Sequence, residues 1–108
     1  MNTSCFSTYK GDKGISIALR TAPWADCGEY RKLAPTHGML DRYRLTHDEE
    51  SYTVEYYDKI LSKLDPNEVY KCLKDKVLLC WEGKGKFCHR HLVAKWLKDT
   101  IDVEVTEL

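Results

Sequence analysis

Side chains able to do chemistry are concentrated in the last third of the chain. An apolar run, Val77–Trp81, is followed by Glu82, a short loop and then Cys88 and His89. A thiol, an imidazole and a carboxyl group are the groups that enzymes use for nucleophilic and general acid–base catalysis. The pattern predicts Cys88 as the nucleophile and Glu82 as the general acid or base, with His89 as the second candidate for the acid–base role.

The loop between these groups predicts an anion site. Gly83 and Gly85 would let the backbone approach a phosphate or carboxylate closely, and Lys84 and Lys86 would add positive charge. A helix that begins near Cys88 would direct unpaired N–H groups into the loop, where its dipole favours an anion and an ionised thiol. The alternative is a solvated turn, because a glycine-lysine loop alone matches no full phosphate-binding motif.

Two arginines extend this anion site. Arg20 follows a second apolar segment, Gly14–Leu19, and ligands of α/β sheets usually sit beyond the carboxyl ends of strands. If the two apolar strands are parallel neighbours, Arg20 lies next to Glu82, Cys88, His89 and Arg90. Arg20 and Arg90 would then hold a phosphate or carboxylate bidentately, so the predicted ligand is a small anion, with a nucleotide as the leading candidate.

Zinc-type side chains also occur here, but their spacing does not match a metal motif. There is neither a Cys-x-x-Cys pair nor a His-Glu-x-x-His helix. On a helix, His89 and His91 would point about 200 degrees apart, at roughly 100 degrees per residue. Cys80 lies inside an apolar run, where a core role is the simpler interpretation, and His89 could equally be a half-buried packing residue. The sequence therefore predicts neither a metal ion nor another cofactor.

The elements that must position these groups alternate between strand-like and helix-like patterns. The patterns predict strands at 5–9, 14–19, 77–81 and 103–105, helices at 46–64, 67–74 and 88–100, and an irregular segment at 20–38. A capping box formed by Thr46 and Glu49 is taken to open the longest helix, with Val54 on its buried stripe. This order favours one α/β domain over residues 1–108, with a partly parallel sheet flanked by helices.

Composition restricts the classes of partner. The chain has 108 residues, and 17 Lys plus Arg balance 17 Asp plus Glu, so a general nucleic-acid binder is not expected. The first residues lack a signal-peptide pattern and no apolar run reaches membrane-spanning length, so we expect no membrane association. Five cysteines without a dense disulfide spacing predict free thiols in a reducing, cytoplasmic compartment.

The motif Cys80-Trp81-Glu82, five residues and then Cys88-His89-Arg90 resembles the C-terminal signature of the domain-of-unknown-function family number 488. The matching segment covers about a fifth of the chain. The family's earlier motif, Asp-Val-Arg with a proline soon after, is similar to Ala18-Leu19-Arg20 followed by Pro23, although Ala18 replaces the acid. The chain looks like a compact variant of the kind found in phage and bacterial genomes. The resemblance implies a small Rossmann-like fold with a pocket formed by Arg20, Glu82, Cys88, His89 and Arg90, and it supplies no reaction.

Two classes of function follow from these patterns. The first is a small enzyme, or a domain derived from one, that acts on a nucleotide or another phosphate-bearing small molecule. The alternative is a non-catalytic module that sequesters a nucleotide-like ligand or binds a protein partner. Nucleic-acid binding, through a local patch that includes Lys10 and Lys13, is a third and less favoured reading, and the sequence does not indicate an oligomeric state.

Overall fold

One apolar strand organises the sheet. A computed structural model describes all residues, 1–108. The strands are β1 (Asn2–Cys5), β2 (Gly14–Ser16), β3 (Gly28–Glu29), β4 (Val77–Cys80) and β5 (Thr106–Glu107), in the order β3-β2-β4-β1-β5. β4 lies between β1 and β2, and every pair of neighbouring strands is parallel. All four residues of β4 are buried, as expected for a strand covered on both faces.

Three helices lie between β3 and β4 and a fourth between β4 and β5, and most begin at a recognisable cap. They are α1 (His37–Thr46), α2 (Glu49–Lys59), α3 (Pro66–Leu73) and α4 (His89–Ile101). Thr36, Asp48 and Asp65 each accept a hydrogen bond from a backbone N–H in the first turn of the helix that follows. The side chain of Cys88, which precedes α4, makes no capping bond to the first turn. None of the helices is both long and apolar enough to cross a bilayer.

The two faces of β4 pack against different clusters of apolar side chains. Leu78 belongs to the larger apolar cluster, to which all four helices contribute, for example through Met39, Tyr56 and Trp96. Val77 and Leu79 point the other way, because side chains alternate along a strand, and they pack in a smaller cluster drawn from the loops that follow β1 and β2. The helices therefore provide one layer over the sheet, and loops close the other face.

The predicted α/β class is confirmed, and the structure is compatible with a small Rossmann-like domain. The sheet is wholly parallel, where the sequence predicted a partly parallel one. The strand expected at 5–9 lies at Asn2–Cys5, and the last strand lies at Thr106–Glu107 instead of 103–105. The first strand was misplaced because Thr3 and Ser4 look polar, although both are buried.

The helical region before β4 differs most from expectation. The predicted helix 46–64 is shorter, as α2 ends at Lys59 and a separate 3-10 turn follows at Leu61–Lys63. Thr46 does not cap it, because Thr46 ends α1 and Asp48 takes the capping position. Val54 was expected in the core and is 65% exposed. Helix α1 was not predicted, and the segment 20–38, expected to be irregular, contains β3.

A buried ion pair fastens the C-terminal strand to the start of α4. Arg90 has no exposed surface, and its Nε and Nη2 donate to Glu107 over 3.1 and 2.8 Å. Its Nη atoms also donate to the carbonyl oxygens of Glu82 and Gly83, at 2.8 and 3.3 Å. Thr3 in β1 donates to the same carboxylate at 2.5 Å. The Arg90–Glu107 pair thus joins the start of α4 to β5, β1 and the loop between β4 and α4.

Removal of the Glu107 carboxylate is expected to destabilise the fold. Glu107→Ala leaves the buried Arg90 without its counter-charge, so we expect a loss of about 3 kcal/mol in the free energy of unfolding at neutral pH. Urea denaturation followed by circular dichroism measures it. The matched control is Glu104→Ala, which removes an exposed carboxylate paired with Lys98 on the same segment and should change stability by less than about 1 kcal/mol. Equal effects of the two substitutions would contradict the anchoring role of Arg90.

The same ion pair makes the free energy of unfolding depend on pH in the acidic range. Burial alone would raise the pKa of Glu107, but hydrogen bonds from Arg90 and Thr3 hold that pKa below its ordinary value of 4.5. The stabilisation from Glu107 is therefore present above the ordinary value and is lost as the pH falls through the lower, folded-state pKa. Between neutral pH and acid, the difference in unfolding free energy between the wild type and Glu107→Ala should shrink. A difference that stays constant down to full protonation would show that the carboxylate charge contributes nothing.

Candidate active site

A cavity of about 440 Å³ opens at the carboxyl edge of the sheet. Its walls come from the segment after β2, the end of β4 with its following loop, and helices α1 and α2. Pockets for small molecules usually measure about 300–1,000 Å³, and parallel sheets form them at this edge, where loops lead into helix N-termini. The fold thus places the cavity where an α/β domain ordinarily binds its ligand.

The floor of the cavity is a cluster of two thiols and an imidazole. Nδ1 of His89 lies 3.5 Å from Sγ of Cys80 and 3.7 Å from Sγ of Cys88. Cys80 ends β4, Cys88 is the residue before α4, and His89 is the first residue of that helix. All three are buried, yet all three line the cavity. Glu82 adds a carboxyl group, whose Oε2 lies 3.4 Å from Sγ of Cys80.

A backbone carbonyl fixes the orientation of the imidazole. Nε2 of His89 lies 2.7 Å from the carbonyl oxygen of Ile17, in the segment after β2. A carbonyl only accepts, so Nε2 carries a proton and donates it. In the neutral ring Nδ1 therefore presents a lone pair to the two thiols. Ile17 is itself held in place, because its N–H donates to the carbonyl oxygen of Leu79 in β4 at 3.1 Å.

The pKa values of the two thiols are shifted in opposite directions, and that of Glu82 is also shifted. Burial opposes ionisation of Cys88, but the hydrogen bond from the Cys80 thiol favours the thiolate, and the pKa of Cys88 is held well below its ordinary value. The bond to Cys88, together with burial, raises the pKa of Cys80 well above its ordinary value, because Cys80 keeps the proton it donates. Partial burial and the neighbouring Cys88 raise the pKa of Glu82. Cys88 is thus the thiolate of the pair, and Glu82 takes up a proton more readily than an ordinary glutamate.

The upper part of the cavity combines aromatic rings with a cation. Tyr43 and Phe87 stack with ring centroids 5.2 Å apart, and Tyr52 meets Phe87 edge-on at 5.3 Å. Arg20 lies at the rim, is exposed, and has no carboxylate within ion-pair distance. Arg44, the other arginine of the lining, lies 3.8 Å from Asp41. Arg20 is therefore the free cation of the cavity.

The structure brings together four of the residues that the sequence singled out: Arg20, Glu82, Cys88 and His89 all line the cavity. Their separation in sequence is bridged by the parallel pairing of β2 with β4, as the sequence predicted for Arg20. Trp81 strengthens this junction, because its Nε1 donates to the carbonyl oxygen of Arg20 at 2.7 Å.

The other predicted ligand-binding residues lie elsewhere. Arg90 is directed at Glu107 and at loop carbonyls and is not part of the lining, so the structure gives it an anchoring role. Gly83 is also outside the lining, and Lys84, Gly85 and Lys86 are exposed on the loop. The backbone of this turn does require Gly85, whose φ of 83° is unfavourable for other residues. The loop thus connects β4 to α4 without its glycines or lysines reaching the cavity.

Sequence reasoning missed the contribution of α1 and understated that of Cys80. Tyr43 and Arg44 lie on α1, whose start was signalled by Thr36 as a cap and by Met39, Leu40 and Tyr43 at helical spacing. Cys80 was interpreted as core because its neighbours are apolar. His89 contacts Cys80 and Cys88 and not His91, and no fixed sequence spacing signals this grouping.

Comparison of the chain with family models, curated proteins and solved structures gives no match. The resemblance to family number 488 therefore stays a prediction from the motif at residues 80–90.

The hydrogen bond to Ile17 predicts the tautomer of one histidine. In the folded protein at neutral pH, a ¹⁵N–¹H correlation spectrum of the histidine rings should show His89 with a proton on Nε2 that exchanges slowly with water. His47, on an exposed turn, is the internal control and should exchange fast. A proton on Nδ1 alone would mean that the imidazole does not present its lone pair to the thiols.

Proposed function

We propose that the protein is a small enzyme that acts on a nucleotide or another phosphate-bearing small molecule with an aromatic group. The observation that carries this proposal is the composition of the cavity at the carboxyl edge of the sheet. It has an unpaired cation at its rim, aromatic rings in its wall and a thiol-imidazole cluster at its floor. These are the three parts that binding and converting such a molecule require.

The rim supports binding of an anion. Arg20 has no carboxylate partner, and its planar guanidinium can donate two parallel hydrogen bonds to a phosphate or carboxylate. Its backbone is held by Trp81 and by the pairing of β2 with β4, so the start of the side chain is fixed. Since the chain has no net charge, the attraction for an anion is local to this rim.

The wall supports an aromatic part in the ligand. Tyr43, Tyr52 and Phe87 contact one another, and Tyr43 remains half-buried at the cavity. Aromatic rings prefer offset or edge-on contact with other rings, and stacking on a nucleobase is worth about 1–3 kcal/mol. A nucleotide has both the phosphate for Arg20 and the flat base for this wall.

The floor supports chemistry as well as binding. A buried imidazole lies against two buried thiols, and the shifted pKa values of Cys80, Cys88 and Glu82 are typical of functional sites. A thiolate at Cys88 can attack a substrate or bind a metal ion. In either role, replacement of Cys88 should abolish turnover. Glu82, at the border between floor and loop, would serve as the general acid or base.

The cysteines support a reducing location. All five are free, and the cluster at the floor needs its two thiols reduced. Reduced thiols persist in the cytoplasm, where we place the protein. We also propose, from the motif at residues 80–90, that the protein belongs to family number 488.

Two substitutions separate binding from turnover. The protein is exposed to a mixture of nucleotides and nucleotide sugars, with retained ligands read by native mass spectrometry and products by liquid chromatography with mass spectrometry. Arg20→Ala should weaken binding about 10- to 100-fold, because it removes a hydrogen bond to charge worth about 1.5–3 kcal/mol. Cys88→Ser should keep binding and lose turnover. Lys74→Ala, exposed at the end of α3 and outside the cavity lining, is the matched control and should change neither.

The outcomes discriminate between the functional classes. Circular dichroism first establishes that each variant is folded. A ligand that is retained by the wild type and never converted would contradict catalysis and favour a sequestering module. No retention of any member of the mixture would contradict the nucleotide-like ligand, and turnover that survives Cys88→Ser would remove the cluster from the mechanism.

A further inference from the structure

We infer that Cys80, Cys88 and His89 form a binding site for a tetrahedral, thiol-preferring divalent metal ion such as Zn²⁺, with the fourth position open to the cavity. This inference deepens the proposed function. Binding of the metal ion does not depend on that function, and only the role of the fourth position, as the place where water or substrate binds, rests on it. It also changes the role of Cys88, from the attacking group predicted from sequence to a ligand.

The separations within the cluster are those of a tetrahedral site. The three potential ligand atoms, Sγ of Cys80, Sγ of Cys88 and Nδ1 of His89, all lie within 4.8 Å of one another. Zinc–sulfur bonds of about 2.3 Å and zinc–nitrogen bonds of about 2.0–2.1 Å at a tetrahedral angle place sulfur and nitrogen roughly 3.6 Å apart. The observed Nδ1 to Sγ distances are 3.5 and 3.7 Å. The two nitrogen–sulfur separations therefore match those expected when one metal ion binds all three atoms.

The imidazole is prepared as a ligand by its outer partner. Metal-binding histidines usually donate their second ring N–H to a carbonyl or carboxylate, which fixes the tautomer and the ring plane. His89 does this through Nε2 and the carbonyl oxygen of Ile17 at 2.7 Å, which leaves Nδ1 directed at the two thiols. A buried packing histidine would also need a partner for its N–H, so the distinguishing observation is that Nδ1 faces two thiols.

The three ligands stand on well-anchored backbone. Cys80 ends the central strand, and Cys88 and His89 begin the 13-residue helix α4. Arg90, the next residue, is locked by Glu107 and by two carbonyls of the intervening loop. Such rigidity is what a preformed metal site needs, because ligands must be held near their final geometry.

The chain supplies three ligands and a cavity, which is the arrangement of a metal site with an exchangeable position. Structural zinc sites close all four positions with protein side chains, whereas catalytic sites keep one for water or substrate. The floor cluster faces the cavity, so the fourth position would be reached from there. Glu82 also lines the cavity, and its Oε2 lies 3.4 Å from Sγ of Cys80, so a carboxyl group stands beside the cluster.

Metal content and cobalt spectroscopy test the site directly. The protein is purified with a thiol reductant, stripped with a chelator, and titrated with Zn²⁺ or Co²⁺. We expect one metal ion per chain by inductively coupled plasma mass spectrometry. With Co²⁺ we expect the intense visible bands of tetrahedral coordination and a near-ultraviolet thiolate-to-cobalt charge-transfer band. A protein that takes up no metal, or whose cobalt spectrum is octahedral without the thiolate band, would overturn the inference.

Variants assign the site to these residues. Cys80→Ser and Cys88→Ser should each weaken Co²⁺ binding by more than about a hundredfold, since losing even an outer partner of a ligand costs about 10- to 100-fold. The matched control is Cys72→Ser, which changes the exposed cysteine of α3 and should leave affinity and spectrum unaltered. Unchanged cobalt binding in folded Cys80→Ser and Cys88→Ser would place the metal elsewhere and overturn the inference.

Failure of this inference can be told apart from failure of the proposed function. A protein that converts a nucleotide but takes up neither Zn²⁺ nor Co²⁺ would overturn the metal site and leave the proposed enzyme standing. Stoichiometric tetrahedral metal with no retained or converted nucleotide would support the metal site and contradict the proposed substrate class.

Discussion

The hydrogen bond from Nε2 of His89 to the carbonyl oxygen of Ile17 is the contact on which the site depends. It joins the start of α4 to the segment after β2, across the end of β4. Because the carbonyl can only accept, the bond also decides which nitrogen faces the thiols. A single contact thus closes the floor of the cavity and sets the chemical character of that floor.

Three consecutive residues around the start of α4 connect different parts of the fold. Cys88 meets Cys80 at the end of β4, His89 meets the segment after β2, and Arg90 meets Glu107 in β5. One short segment therefore brings together the strand ends that surround the cavity. The Arg90–Glu107 pair is costly to break, because a buried guanidinium without its counter-charge is strongly destabilising. In this segment Arg90 therefore stabilises the fold, while the adjacent Cys88 and His89 line the cavity.

Much of this arrangement was readable from the sequence, and the remainder has identifiable causes. The apolar run before Glu82 indicated the central strand. The position of Arg20 at a strand end predicted that it lies beside Glu82, Cys88, His89 and Arg90, and all of these except Arg90 share the cavity lining with it. Local patterns could not show that Arg90 has a partner 17 residues away, since the pair depends on how β5 returns to β1. The grouping of Cys80 with His89 was equally hidden, because it arises from the turn between β4 and α4 and not from a fixed ligand spacing.

Anomalous X-ray diffraction from crystals grown with Zn²⁺ and a nucleotide would test most directly whether the cluster and the cavity form one site. The account predicts a single zinc peak about 2.3 Å from Sγ of both Cys80 and Cys88 and about 2.0–2.1 Å from Nδ1 of His89, with the nucleotide phosphate against Arg20. Zinc bound only at surface residues, or a nucleotide bound away from the cavity, would contradict it.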